Sequence, residues 1–197
     1  NDIATIAETT ETTEVVDTTS VDVKEASEAI ETKYKEKDLV VDYDESTSTK
    51  IELSNNSTSI NGSGATVNGG VITISSKGTY VISGTLSDGQ IVVEADKEDL
   101  VKLIFNGVNI SCSTSSAVNV VSADKVIITL VENTENYISD AENYIYPDET
   151  TDEPNAAIFS KDDLTINGTG SLTVSGNYKH GILSKDDLLI VSGTYNI

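Results

Sequence analysis

Ile158-Phe159-Ser160-Lys161-Asp162-Asp163-Leu164-Thr165-Ile166 returns 24 residues later as Ile182-Leu183-Ser184-Lys185-Asp186-Asp187-Leu188-Leu189-Ile190. Two weaker copies lie upstream, Val92-Val93-Glu94-Ala95-Asp96-Lys97 and Val120-Val121-Ser122-Ala123-Asp124-Lys125, 28 residues apart. The next offset is 38 because an acidic, Tyr-bearing insertion, Glu132 to Glu153, separates the second copy from the third. Around the copies, short apolar runs such as Val71-Ile72-Thr73-Ile74 and Val126-Ile127-Ile128-Thr129-Leu130 alternate with Gly/Ser/Asn/Asp turns, and no helical pattern intervenes. Short strands recurring at this period are the signature of a parallel β-helix, in which each coil buries its apolar residues only against its neighbours. An antiparallel sandwich also has short strands but leaves the nine-residue copy unexplained. The reading places Val92, Val120, Ile158 and Ile182 in one inward ladder. It assigns left-handed turns to Gly107 and Gly168, each preceded by Asn.

The 197-residue chain carries 33 acidic and 12 basic side chains, all of the latter Lys, for a net charge of −21. That charge argues against nucleic acid and anionic membranes as partners. One Cys (Cys112) and one His (His180) exclude an internal disulfide, a Cys-based metal centre and a multi-histidine one. No apolar run approaches the roughly 20 residues of a membrane helix, so no membrane insertion is expected. Residues 1–41 read as a Thr/Glu-rich linker or stalk, disordered over the first part. A thin apolar stripe of Val23, Ala26, Ile30 and Tyr34 suggests a short helix within 21–37. Residues 42–197 read as the all-β domain. The missing initiator Met and an end inside a strand, Tyr195-Asn196-Ile197, suggest a trimmed product, C-terminally truncated.

Gly78-Thr79-Tyr80-Val81-Ile82-Ser83-Gly84-Thr85-Leu86-Ser87-Asp88-Gly89-Gln90-Ile91-Val92-Val93 resembles the entry motif of a family of secreted carbohydrate-binding proteins, and so does Asp152-Glu153-Pro154-Asn155-Ala156-Ala157-Ile158 with the Ser160 to Leu164 segment. The resemblance covers about 42–197. It implies a right-handed parallel β-helix that binds calcium and attaches to plant cell-wall polymers such as cellulose and pectin. It also implies structural similarity to the pectate lyases of polysaccharide lyase family nine, and an extracellular or cell-surface location.

Coils about 4.8 Å apart stack equivalent side chains, so Asp162 is expected over Asp186 and Asp163 over Asp187. Lys161 and Lys185 would point away. Four crowded carboxylates repel unless protonated or paired, and Ca²⁺, which takes six to eight oxygen ligands, relieves the repulsion. By motif position the resemblance makes Asp162, Asp186 and Asp187 the first calcium ligands, with Asp163 next. Asp96 and Asp124 occupy the same step in earlier coils, and Glu153 and Asn155 supply further oxygens.

Without Trp, sugar stacking falls to Tyr, and Tyr137, Tyr144, Tyr146 and Tyr178 are the carbohydrate-binding candidates; the same residues also suit packing of the insertion. His180 reads as a surface residue and Cys112 as a small strand residue. The chain therefore reads as a calcium-dependent, non-catalytic binder of cell-wall polysaccharide. The alternatives are a surface or filament subunit self-associating through the β-helix ends, and a fragment of a calcium-assisted pectate lyase whose base lies outside it.

Overall fold

The computed structural model describes residues 34–197. Of the helix expected within 21–37, residues 21–33, with Val23, Ala26 and Ile30, lie outside the described residues. The chain enters through one helical turn, α1 (Glu36–Leu39), in which the Lys35 amide donates to the Asp38 carboxylate at 2.9 Å. Everything after it is β structure: β1 (Thr49–Leu53), β2 (Ser59–Asn61), β3 (Ala65–Asn68), β4 (Val71–Ile74), β5 (Gly78–Leu86), β6 (Gln90–Glu94), β7 (Leu100–Ser111), β8 (Val118–Ser122), β9 (Lys125–Leu130), β10 (Glu135–Ser139), β11 (Ala156–Ser160), β12 (Asp163–Gly168), β13 (Ser171–Ser175), β14 (His180–Ser184), β15 (Leu188–Ile190) and β16 (Thr194–Asn196).

These strands form two sheets. One runs β3-β4-β6-β8-β11-β14, and the other holds the remaining ten. Among the described residues only β1–β2 and β3–β4 pair antiparallel. From β4 onward the chain makes five passes, and each pass pairs parallel with the next. The segments sharing the sequence copies thus pair parallel, which excludes the sandwich.

Three inward ladders build the core. Ile72, Ile91, Val118, Ile158 and Ile182 stack on one side, Tyr80, Leu103, Ile128, Ile166 and Ile190 on the second, and Leu86, Ile110, Ile138 and Val174 on the third. Most are fully buried, and burying an aliphatic side chain of this size contributes about 1.5–3 kcal/mol.

The ladder expected from the copies needs correction. Ile158 does pair with Ile182. Val120 is inward but lies over Val93 and Ser160, and Val92 faces the other way, paired with Asn119. A register shift after Val93 makes the offset 27 on the strand before it (Ile91 to Val118) and 28 beyond it. The stretch from Val118 to Val126 is two residues longer than that from Ile158 to Leu164, so the offset is 40 at Val118 and Ile158 but 38 at Val126 and Leu164. The sequence copies coincide at the corners, where length varies.

Two glycines turn the chain between the second and third sides as the sequence predicts: φ is +76° at Gly107 and +97° at Gly168. At Gly168 a Cβ would also fall 2.2 Å from the Leu130 carbonyl oxygen. The bend is held from inside by Asn136, 1% exposed. Its Oδ1 accepts from the Gly107 and Val108 amides, both at 3.0 Å, and its Nδ2 donates to the Ser171 carbonyl at 3.0 Å. One side chain thereby ties three passes together.

Residues 34–41, expected in the linker, are bound to the outer face of β9 and β12. Lys125, buried, donates to Asp38 Oδ1 at 2.8 Å, and Thr165 donates to the same oxygen at 2.9 Å. Asn167 Nδ2 donates to the Asp38 carbonyl at 2.9 Å. Burial works to raise the Asp38 carboxyl, but Lys125, the Lys35 amide and Thr165 together hold it below its ordinary 3.8. Removing one partner of a buried pair strands the other charge, at about 3–5 kcal/mol. Lys125→Ala is expected to lower stability to chemical denaturation by that amount, and the Asp38→Asn/Lys125→Met double variant to regain most of it. Because the folded carboxyl titrates lower than the unfolded one, its stabilisation is complete above about pH 4 and fades as pH falls through the folded value. The stability gap between the native protein and Asp38→Asn should therefore narrow only below pH 4; a gap constant to pH 2.5 would contradict this linkage.

Candidate functional site

The corner before the second strand of each pass collects the acidic residues. The Asp163–Lys125 and Leu100–Lys125 pairings put Asp162, Asp124 and Asp99 at one step. The unbroken offset of 24 between the last two passes adds Asp186 to this column and sets Asp187 over Asp163. The stacking expected of Asp162 on Asp186 and Asp163 on Asp187 therefore holds. Asp96 does not join the column. It is exposed, and Asp99, which the sequence reading missed, stands at that step, its carbonyl accepting from the Asp124 amide at 2.9 Å.

Lysines compensate this column. Lys97 Nζ donates to both oxygens of Asp162 at 2.7 and 2.9 Å, and the Ala123 amide donates to Asp162 Oδ2 at 3.0 Å. Lys125 lies 3.5 Å from Asp163. Lys37 bridges to Asp124 at 3.0 Å. Lys185 pairs with Glu153 rather than with the Asp beside it, and the hydrogen bond to Glu153, then its charge, holds the Lys185 ammonium above its ordinary value. Asp186 and Asp187 are exposed. No three His, Cys, Asp or Glu side chains among the described residues converge as a metal cage. Asp162 accepts from one ammonium and one amide, so a calcium ion there would have to compete with the Lys97 ammonium.

The insertion after β10 gathers three of the four candidate tyrosines. Its backbone is fastened to the preceding corner, with Ala141 N–H on the Ser115 carbonyl at 3.3 Å and Ile145 N–H on the Thr114 carbonyl at 2.8 Å. Tyr144 and Tyr178 stack with centroids 4.5 Å apart and planes 21° from parallel, and Tyr146 meets Tyr178 edge-on at 6.5 Å. The rings are half-buried. Lys179 Nζ sits 5.1 Å from the Tyr178 centroid, within cation–π range.

Two of the hydroxyls face inward. Tyr144 donates to Asp140 Oδ2 at 2.7 Å, and Tyr146 donates to the Pro154 carbonyl at 2.8 Å. Burial, then the Asp140 carboxylate, pushes the Tyr144 phenol up, and burial beside Tyr178 pushes Tyr146 up to about 12. Both stay protonated donors across the ordinary pH range. Asp140, 5% exposed, also accepts from the Asn177 amide at 2.6 Å. Asn155 Oδ1 is enclosed and accepts no hydrogen bond from the described residues. Tyr137 stands apart on β10, 42% exposed, with its hydroxyl on Glu135 at 2.8 Å. His180 is exposed at the start of β14, and Cys112 is a buried free thiol, as expected.

Comparison with known proteins matches residues 68–197, well over half of the chain, to a family model described as carbohydrate-binding domain-containing protein. A haemagglutinin-repeat model matches residues 19–100, under half. A carbohydrate-binding domain-containing protein of Acetivibrio thermocellus is 41% identical over 126 residues, which are 64% of this chain and 44% of that relative. A solved polysaccharide lyase-like protein from C. thermocellum, a gadolinium derivative, superposes with a TM-score of 0.73 at 38% identity, covering 75% of this chain and 60% of that one. The chain thus spans less than half the length of its relative. By the match over residues 68–197, it belongs to the family of carbohydrate-binding domain-containing proteins.

Proposed function

We propose that this protein binds cell-wall polysaccharide outside the cell without cleaving it, and that its five passes are coils of a right-handed parallel β-helix. The parallel pairing of all five passes and the likeness to a polysaccharide lyase-like chain support the fold reading. The observation that carries the binding reading is the Tyr144–Tyr178 stack with Tyr146 at its edge. Aromatic rings fixed in place present an apolar face at little entropic cost, which suits the apolar face of a sugar ring, and nearby polar groups orient its hydroxyls. Asn177, with Nδ2 on the Ser139 hydroxyl at 3.0 Å, and Lys179 supply such groups. Against cleavage, Lys97, Lys125 and Lys185 at the acidic corner are paired with Asp162, Asp38 and Glu153 and are poor bases for proton abstraction, which leaves the exposed Lys161 as the lysine to test there.

Tyr178→Ala is expected to weaken adsorption to insoluble wall polysaccharide about tenfold, equivalent to about 1.4 kcal/mol, in a protein that still folds cooperatively. Incubation with pectate should give no ultraviolet-absorbing unsaturated product. Product formation would make the protein a lyase, and adsorption unaffected by Tyr178→Ala would remove the stack from the site.

Calcium is a separate proposal, through which binding at the tyrosines is not routed. We propose that calcium reaches Asp162, Asp186 and Asp187 only by displacing the Lys97 ammonium. Lys97 is exposed over two thirds of its side chain while Asp162 is exposed over 17%, and a pair open to water on its lysine side is worth only about 1 kcal/mol. Calcium should therefore raise the thermal midpoint more for Lys97→Gln than for the native protein. Midpoints indifferent to calcium and chelator in both would remove calcium and leave the sugar reading untouched.

A further inference from the structure

In a chain of net charge −21, the third side of the passes is nearly free of charge. It is made by the end of β5, the end of β7, and β10, β13 and β16, where the sequence reads Gly84–Leu86, Gly107–Ser111, Glu135–Ser139, Ser171–Ser175 and Thr194–Asn196. Glu135 is the one acidic or basic side chain among them. Inward positions carry Leu86, Ile110, Ile138 and Val174. Alternation along the strands therefore sends the polar residues out.

Outside, Thr85, Asn109, Tyr137, Thr173 and Asn196 form one unbroken ladder. Ser111, Ser139 and Ser175 form a second ladder beside it. Glu135, Ser171 and Thr194 form a third. At about 4.8 Å per strand, the five-residue ladder is about 19 Å long.

Both edges of this face are shaped. Beyond the serine ladder, Asn177 bonds Ser139 and Asp140, and Tyr178 joins the tyrosine stack. Beyond the Glu135 ladder, a shallow trough of about 330 Å³ is lined by Asn133, Thr134, Thr169 and Gly170 with the residues of that ladder.

We infer that this face is part of the binding site, and that its ligand is an uncharged polysaccharide lying across the strands beside the tyrosine stack. The inference rests on the binding reading above and narrows it to a substrate class. Rows of hydroxyl and amide groups at regular spacing offer donors and acceptors to sugar hydroxyls, and Tyr137 adds an exposed ring midway along. Elsewhere the chain repels polyanions, and this face holds no ammonium to attract a uronate. An uncharged chain has no such barrier.

The test uses the full chain, the Tyr178→Ala variant and four substitutions on the face. Thr173→Glu and Asn109→Glu put charge on the ladder without touching the core, Tyr137→Ala removes its ring, and Thr173→Ser keeps a hydroxyl. Adsorption to insoluble cellulose and retardation in gels containing hydroxyethyl cellulose or polygalacturonate are measured, with unfolding midpoints confirming the fold. The expected result is binding to the two uncharged polymers that changes little between 50 and 500 mM salt, roughly a range over which ionic contacts would be screened. Thr173→Glu and Asn109→Glu should each lose tenfold or more, Tyr137→Ala severalfold, and Thr173→Ser little. Equal or tighter binding to polygalacturonate, or steep salt dependence, would overturn the uncharged class. Loss in Tyr178→Ala with no loss in the ladder variants would overturn the face and leave the tyrosine reading standing. A native protein that binds none of the three polymers would remove both.

Discussion

Backbone hydrogen bonding between successive passes decides which residues can share a ladder, and the rest of the molecule follows from that register. A parallel pair admits no slip of one residue without turning every inward side chain outward. Between the fourth and fifth passes an offset of 24 holds from Ala156–His180 to Ile166–Ile190, so ladder and corner stay aligned. Between earlier passes the register holds along most of each strand, shifting by one residue only after Val93 and between Ile82 and Gly84, while the corners change length. A corner residue carries no ladder bond, and there an extra residue costs only loop entropy, which grows slowly with length. The tight place is the bend at Gly168, where the backbone of one pass approaches the Leu130 carbonyl of the pass before it too closely for a side chain.

The same stacking that aligns the core aligns the charges. Acidic residues suit the corners because they suit turns, and stacking puts them in a column. The column is tolerated because lysines arrive from other passes: Lys97 on Asp162, Lys125 on Asp163 and Asp38, Lys37 on Asp124. The buried Lys125–Asp38 pair differs from the others. Its groups are removed from water, so it specifies where residues 34–41 must lie, whereas the more exposed Lys97–Asp162 and Lys37–Asp124 pairs mainly lower repulsion.

The sequence exposed what local repetition encodes. The nine-residue copy gave the pairing of Ile158 with Ile182, and the Asn-Gly steps gave both left-handed bends. The position of Val92 was lost because a register shift after Val93 and unequal corners break the simple offset. Asp99 was passed over for Asp96 for the same reason. The pairs Lys97–Asp162 and Lys125–Asp38 join residues 65 and 87 apart, and Asn136 bridges to residues 29 positions before it and 35 after it. Such contacts are set by register, and one sequence holds no signal for them until the register is known. The tyrosines were legible as residues, but the separation of Tyr137 from the other three was not. It depends on Tyr137 lying within a strand while Tyr144 and Tyr146 lie in a corner insertion and Tyr178 in the matching corner of the next pass.

That division explains how a repetitive scaffold acquires a distinct site. A strand position is repeated in every pass, and changing it disturbs a ladder, so strands are suited to a broad, uniform surface. A corner can lengthen without consequence for the core, and the 140–155 insertion between β10 and β11 uses this freedom at one pass only. Fastened to the corner below by Ala141 and Ile145 and to the corner above through Asp140 and Asn177, it raises an aromatic edge beside the uniform face. The extended face and the single raised edge thus arise from one rule: length varies only where no ladder bond is lost.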